Sequence, residues 1–195
     1  MDTDCFAALK EHGVLLKSDP KLPSVVALVA GGPVKGSWWA HPDAHLMYRT
    51  IVSLSEHPDV LLLKLIAGKD TFVHRRLWPE IFAIATAEEP WQWMGLSKEA
   101  RALHRRLTIE GVLESGGAAA RELELRLLVY GAQIHTQAGF HAKHLESWEH
   151  WRGRARMDTP EIDIAEAKRT IEAVVPGARF PWRISAGSRG SRTRA

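Results

Sequence analysis

The run Val60-Leu61-Leu62-Leu63-Lys64-Leu65-Ile66 constrains the fold more than any other stretch of the chain. It is apolar but for one lysine, which suits a strand buried on both faces. Ala67-Gly68-Lys69-Asp70 then supplies a turn, and Thr71-Phe72-Val73-His74-Arg75 returns with alternating character. The pattern predicts a β-hairpin over about residues 60–75. Phe72 and His74 are expected on one face of its second strand, with Thr71, Val73 and Arg75 on the other.

Helical spacing surrounds this hairpin. Residues 4–13 carry Phe6 and Leu9 and stop at Gly13, and Val14-Leu15-Leu16 reads as a short extended piece. Ser24 to Ala30 is a short apolar helix closed by Gly31-Gly32-Pro33. Pro42 suits a first helical turn, after which Leu46, Met47, Ile51 and Leu54 line one side as far as Glu56. Pro79 to Ala87 is apolar enough to cover the hairpin. Ser97 caps a helix over Lys98–Glu110 that Gly111 ends. From Ala118 the longest helical pattern runs through Leu123, Leu127, Tyr130, Ile134, His141, Leu145 and Trp148. Gly131 and Gly139 interrupt it, each costing about 1 kcal/mol relative to alanine in a helix. Residues 118–152 are therefore expected as one helix or, better, as two broken around His135–Gly139. Pro160 starts a last helix reaching about Val175. No internal repeat is visible. The fold class is α+β, mostly helical, with a central hairpin packed by helices.

The chain is 195 residues long with 45% hydrophobic and 25% charged residues, which matches an ordinary globular domain. One cysteine, Cys5, excludes an intrachain disulfide and a cysteine-ligated zinc or iron–sulfur centre, and points to a reducing cytoplasm. No apolar stretch approaches the length that spans a bilayer, so no membrane partner is expected. The net charge of +3 is unevenly placed. Residues 179–195 hold five of the 26 basic residues and no acid, leaving 21 basic against 23 acidic over residues 1–178. Residues 1–178 read as a single globular domain, and 179–195 as a basic tail whose Gly/Ser/Arg composition does not fold. Such a tail attracts phosphate nonspecifically.

Ten histidines and eight tryptophans supply the candidate chemistry. His41 and His45 stand four apart at a helix start beside Trp38 and Trp39, with Asp43 between. His141 and His144 stand three apart on what reads as a helix face. Metal binding through His41, His45, His141 and His144 is a minor reading, because no HExxH spacing occurs. Two His-Arg-Arg triplets, His74-Arg75-Arg76 and His104-Arg105-Arg106, offer a basic face. There Arg75, Arg76, Arg105 and Arg106 would bind phosphate, with Trp38, Trp39 or Trp78 stacking on bases. The dinucleotide fingerprint, the P-loop and the GxSxG elbow are all absent.

Three stretches, Lys35-Gly36-Ser37-Trp38-Trp39-Ala40-His41-Pro42, Gly68 to Pro79, and His135 to His144, resemble stretches of uncharacterised bacterial proteins to which no activity attaches. The resemblance spans most of residues 14–151. It implies that the three stretches belong to one architecture, and it assigns no site. Separately, Leu96-Ser97-Lys98-Glu99-Ala100 through Glu110-Gly111-Val112-Leu113 is similar to the opening helix of winged-helix domains. The recognition helix and wing that should follow it are not evident in the residues.

The leading functional expectation is a nucleic-acid-associated, DNA-binding protein. The alternative is a small enzyme or ligand-binding protein with a pocket where Trp38, Trp39, His41 and His74 approach His141 and His144. A helical interaction module anchored by Trp148 and Trp151, or a homo-oligomer, is the remaining reading. No cofactor is specified by any of these patterns.

Overall fold

A computed structural model describes residues 4–135, 141–159 and 161–183. Its first half runs α1 (Cys5–His12), β1 (Val14–Leu16), α2 (Val25–Ala30), α3 (Ala44–Ser55), β2 (Val60–Ile66) and β3 (Lys69–His74). The hairpin stands where the sequence puts it. Its turn is only Ala67 and Gly68, with φ of 51° and 69°. Two successive left-handed residues make the tight turn whose twist matches its flanking strands. The short extended piece joins the sheet as β1, pairing Val14 with Val73 and Leu16 with Thr71, so the order is β1-β3-β2.

The second half runs α4 (Trp78–Ala85), α5 (Pro90–Trp93), α6 (Lys98–Glu110), β4 (Val112–Glu114), α7 (Gly117–Leu125), β5 (Tyr130–His135), β6 (His141–Glu146), α8 (Trp148–Ala155) and α9 (Ile164–Val174). Helix α6 has the predicted bounds, because both its stops are local: Ser97 Oγ accepts from the Ala100 amide at 3.1 Å and Gly111 takes φ 79°. Helix α9 starts at Ile164, where Asp163 caps the Glu166 amide at 2.9 Å; the expected start, Pro160, lies outside the described residues.

The region from Ala118 to Arg152 departs most from expectation. Helices α7 and α8 take only its two ends, with two strands between them, and residues 136–139 of the expected break lie outside the described residues. After α7 the chain forms β5 and β6, paired from Tyr130–Glu146 to His135–His141, with β4 on the other side of β6. The three-four spacing of its large residues imitates a helix, whereas Gly131 lies in β5 close against Glu124. A Cβ there would collide with the Glu124 carboxylate, which lies across the strand.

Both faces of the first sheet are buried. Leu15, Val60 and Phe72 meet α1, α2 and α3 through Leu9, Val26, Met47 and Ile51. Leu61, Leu63, Leu65 and Val73 meet α4, α8 and α9 through Trp78, Ile81, Trp151 and Ile171. The period of two along β2 and β3 sends alternate residues into these two cores, as expected for Phe72 and Val73. A third core lies between α6, α7 and the second sheet, centred on Leu107, Leu123 and Leu145.

The two halves share a connectivity that their sequences hide. Residues 5–74 run helix, strand, helix, helix, strand, strand, with the sheet ordered first-third-second. Residues 98–146 repeat this with one helix fewer, as α6, β4, α7, β5, β6 in the order β4-β6-β5. The first has the element order of a winged helix, and the second lacks one helix of that order. The opening helix is legible at α6, whereas its wing, β5–β6, carries helical spacing in the sequence. The first unit has no such signal.

The basic tail begins later than residue 179. Phe180 is buried against the α4–α9 core, and the Arg179 carbonyl accepts from the Ala67 amide at 2.7 Å. Trp182 Nε1 donates to Glu172 at 2.7 Å and Arg183 Nε to the same carboxylate at 2.8 Å. Apolar Phe180, Pro181 and Trp182 provide the burial that a Gly/Ser/Arg reading overlooks. Residues 1–183 thus hold 23 basic and 23 acidic side chains, and the whole +3 belongs to 184–195, outside the described residues.

The Arg183 guanidinium, helped by Trp182, lowers the Glu172 carboxyl from the ordinary 4.5 to about 2. A depressed carboxyl contributes stability that is complete above its unfolded value and is lost as pH falls through its folded one. The thermal midpoint difference between the wild type and Glu172→Gln should therefore be full at pH 6 and shrink between about pH 4.5 and 2. A difference that does not change over that range would show that this ion pair does not hold the segment.

Candidate functional site

The Trp38-Trp39 dipeptide lies in a one-turn 3-10 segment, Trp38–Ala40, just before α3. His41 closes that turn. Its Nδ1 accepts from the Asp43 amide at 3.1 Å, so it serves as a cap leading into the helix. Helix α3 then buries the stripe Met47, Ile51 and Leu54. Leu46, expected in that stripe, lies one residue, or about 100°, away from Met47 and is 45% exposed. Tyr48 is 38% and Trp39 62% exposed. The indoles of Trp38 and Trp39 stack at 4.0 Å, and Tyr48 tilts against Trp39 at 5.9 Å. His45, Arg49 and Ser53 share the outward face of the helix. The result is an exposed aromatic platform beside one unpartnered helix face.

A cleft of about 180 Å³ opens from this platform between the two units. Trp38, Trp39 and Tyr48 line it together with residues 62–64 of β2 and 130–132 of β5. Its lining is also charged, with Lys17, Lys64 and Lys143 beside Asp70, Glu124 and Glu56. Lys64 pairs with Asp70 at 2.5 Å, Lys17 reaches the same aspartate at 3.9 Å, and Lys143 pairs with Glu124 at 2.5 Å. One carboxylate shared by Lys17 and Lys64 leaves that corner with a surplus cation. Nearby, Asp19 is held below the ordinary carboxylate range. Burial opposes this, but the Lys69 ammonium and the Lys21 and Leu22 amides outweigh it.

The wing of the first unit is not a free wing. The Ala67 amide at its tip is tied to Arg179, and a Cβ on Gly68 would strike Leu125 of α7. The tip is docked between α7 and the C-terminal segment. Its lysines, 64 and 69, are ion-paired to Asp70 and Asp19.

The histidines do not assemble one pocket. Among the described residues none lines the cleft, and no group of three or more His, Cys, Asp or Glu side chains is placed to hold a metal. His74 is buried beside Phe6, and its Nδ1 accepts from the Arg76 amide at 3.3 Å. Burial lowers its pKa, and Arg76, Lys10 and Arg75 add to this against Asp59, so the ring that accepts is the neutral one. His144 sits on β6 between Ala132 and Glu114, on a strand where the spacing predicts a helix face. The side chain of His141 lies outside the described residues. His45 is exposed on α3.

The arginines are also divided. Arg75 and Arg76 follow β3, where Arg75 is bound to Asp59 at 2.8 Å and lies over Trp78, and Arg76 donates to the Glu11 carbonyl at 3.1 Å. Arg105 and Arg106 lie on the outward face of α6 in the other unit, with Arg106 paired to Glu110 at 3.3 Å. No hydrogen bond or ion pair among the described residues joins the two pairs. Trp78 is buried, with its indole N–H on the Val73 carbonyl, which removes it as a stacking surface. Trp148 and Trp151 are buried at 4% and 2% exposure, so they anchor the core and not a partner.

Of the expected site residues, Trp38 and Trp39 alone line the cleft. Tyr48, Arg49, Lys17 and the β5 residues 130–132 are not marked by any motif in the sequence, and Lys143 falls in the His135–His144 stretch without being given a role. The helical period shows that Tyr48 and Arg49 lie off the Met47 stripe, but nothing local shows that β5 approaches β2. No family model, curated protein or solved structure matches the chain.

The wall of the cleft rests on the fit of Gly131 against Glu124. Alanine in a strand is ordinarily no worse than glycine. Here Gly131→Ala should destabilise by about 1 kcal/mol or more, and in a Glu124→Ala background the same change should be neutral or favourable. Additive denaturation free energies across that double-mutant cycle would contradict the contact.

Proposed function

We propose that this protein is nucleic-acid-associated and makes contact through the outward face of α3 and the aromatic platform beside it. One observation carries the reading. The third helix of the first unit stands where a winged helix presents its groove-facing helix, and it leaves Trp39, Leu46, Tyr48, His45 and Arg49 at the surface. Exposed aromatics give sequence-tolerant stacking surfaces, and Arg49 adds a phosphate contact. The Arg residues at 189, 192 and 194 supply a salt-sensitive attraction that needs no fixed geometry. With residues 1–183 neutral, that attraction brings nucleic acid to the chain, and α3 holds it in place.

A second reading is supported by the apolar share of the same face. Large aromatic and aliphatic side chains exposed together also suit a partner protein. Nucleic-acid binding separates the two. Fluorescence anisotropy with a labelled duplex and a labelled single strand should show binding that falls steeply with salt. Deleting 184–195 should weaken it without abolishing it. Arg49→Glu with Ser53→Glu should weaken it about tenfold or more at constant salt. Complete loss on deletion of 184–195, or no effect of the α3 pair, would remove the α3 face from the account and leave the protein-docking reading.

A further inference from the structure

The cleft differs from the α3 face in both size and chemistry. Its volume of about 180 Å³ is below the roughly 300–1,000 Å³ of sites that enclose a whole small ligand. It is close to the roughly 150 Å³ that admits one benzene ring. The space therefore suits a single ring system whose remaining atoms stay outside. Its lining offers the stacked Trp38–Trp39 pair and Tyr48 as surfaces for a planar group.

The sides of the cleft are polar in a particular way. β2 and β5 are edge strands of their sheets, and no hydrogen bond among the described residues joins one to the other. Edge strands present unpaired N–H and C=O groups. The cleft thus has stacking surface and, where the edges of β2 and β5 line it, backbone donors and acceptors. Lysines 17 and 64, sharing one aspartate, also line it. A planar ring with both donors and acceptors on its edge, carried by an anionic chain, meets all three features.

We infer that the cleft between the two units takes one unpaired nucleobase, with the attached phosphate directed to the Lys17–Lys64 corner. For a base within a strand this rests on the nucleic-acid reading above; for a free nucleotide it does not. A paired base cannot enter, because its edge is occupied and its neighbours block the opening. The cleft accordingly discriminates single strands or free nucleotides from duplex.

The test uses the full chain, a labelled single strand of about 12 nucleotides, long enough to cover one site, a duplex of the same sequence and the common nucleoside 5′-monophosphates. Two variants probe the cleft. Trp39→Ala removes an exposed stacking surface, and Ala132→Trp fills the space from β5; circular dichroism checks the fold of each. Loss of one stacked base should weaken single-strand binding by about 5- to 150-fold. Duplex binding through α3 should stay within about twofold in Ala132→Trp, since the groove-facing helix is untouched. If the wild type binds no strand but binds a monophosphate, and Ala132→Trp abolishes this, the cleft is a free-nucleotide site and the nucleic-acid reading fails alone. If the wild type binds strands and both variants bind them equally well, the inference fails and the nucleic-acid reading stands. If Ala132→Trp does not fold, unchanged single-strand affinity in Trp39→Ala is enough to overturn the inference. Binding of neither strands nor monophosphates overturns both.

Discussion

Three buried indoles hold the two sheets in one body. Trp78, at the start of α4, meets Trp151 of α8 edge-on at 5.2 Å, and Trp148 meets Trp151 edge-on at 5.4 Å. Each outer indole also donates to a carbonyl, Trp78 to Val73 of the first sheet at 3.4 Å and Trp148 to Leu127 before the second at 2.7 Å. Edge-to-face aromatic pairs add about 0.5–1.5 kcal/mol each beyond their burial, and a buried indole N–H left unpaired would cost more than that.

Charge acts mostly as structure in this chain. Of the arginines that invite a phosphate reading in the sequence, Arg75 is engaged by Asp59, Arg106 by Glu110 and Arg76 by the Glu11 carbonyl, and elsewhere Lys69 is paired with Asp19, Lys168 with Glu89 and Arg183 with Glu172. Whatever each adds to stability, these pairs neutralise the surface around them. What is left for recognition is aromatic: an exposed stack beside a helix with one outward arginine, and a narrow space next to it. That balance favours stacking over groove reading by charge.

The legible parts of the fold are those set by neighbours in sequence. The hairpin follows from an apolar run, a two-residue turn and an alternating return, and α6 from Ser97 and Gly111. The second sheet is not legible, because Leu123, Leu127, Tyr130 and Leu145 carry helical spacing. The pairing of β5 with β6 and the Glu124–Gly131 contact are made across the chain and leave no local signal. The histidine pairs mislead for the same reason. His41 and His74 each accept from a backbone amide two residues on, a local use that spacing alone cannot separate from ligation. Trp38 and Trp39 stand out as surface candidates in the sequence, yet the cavity they border depends on β5 reaching β2. The shared first-third-second strand order of the two sheets is invisible there because it repeats in the order of elements and not in residues.

Photocross-linking tests the central claim most directly, because it maps contact without altering the protein. A single strand carrying 4-thiouridine, irradiated in complex with the full chain and analysed by peptide mass spectrometry, should form adducts within residues 37–56 and at 130–132. Adducts confined to α6 or to 184–195, with none on the Trp39–Tyr48 surface, would contradict the account.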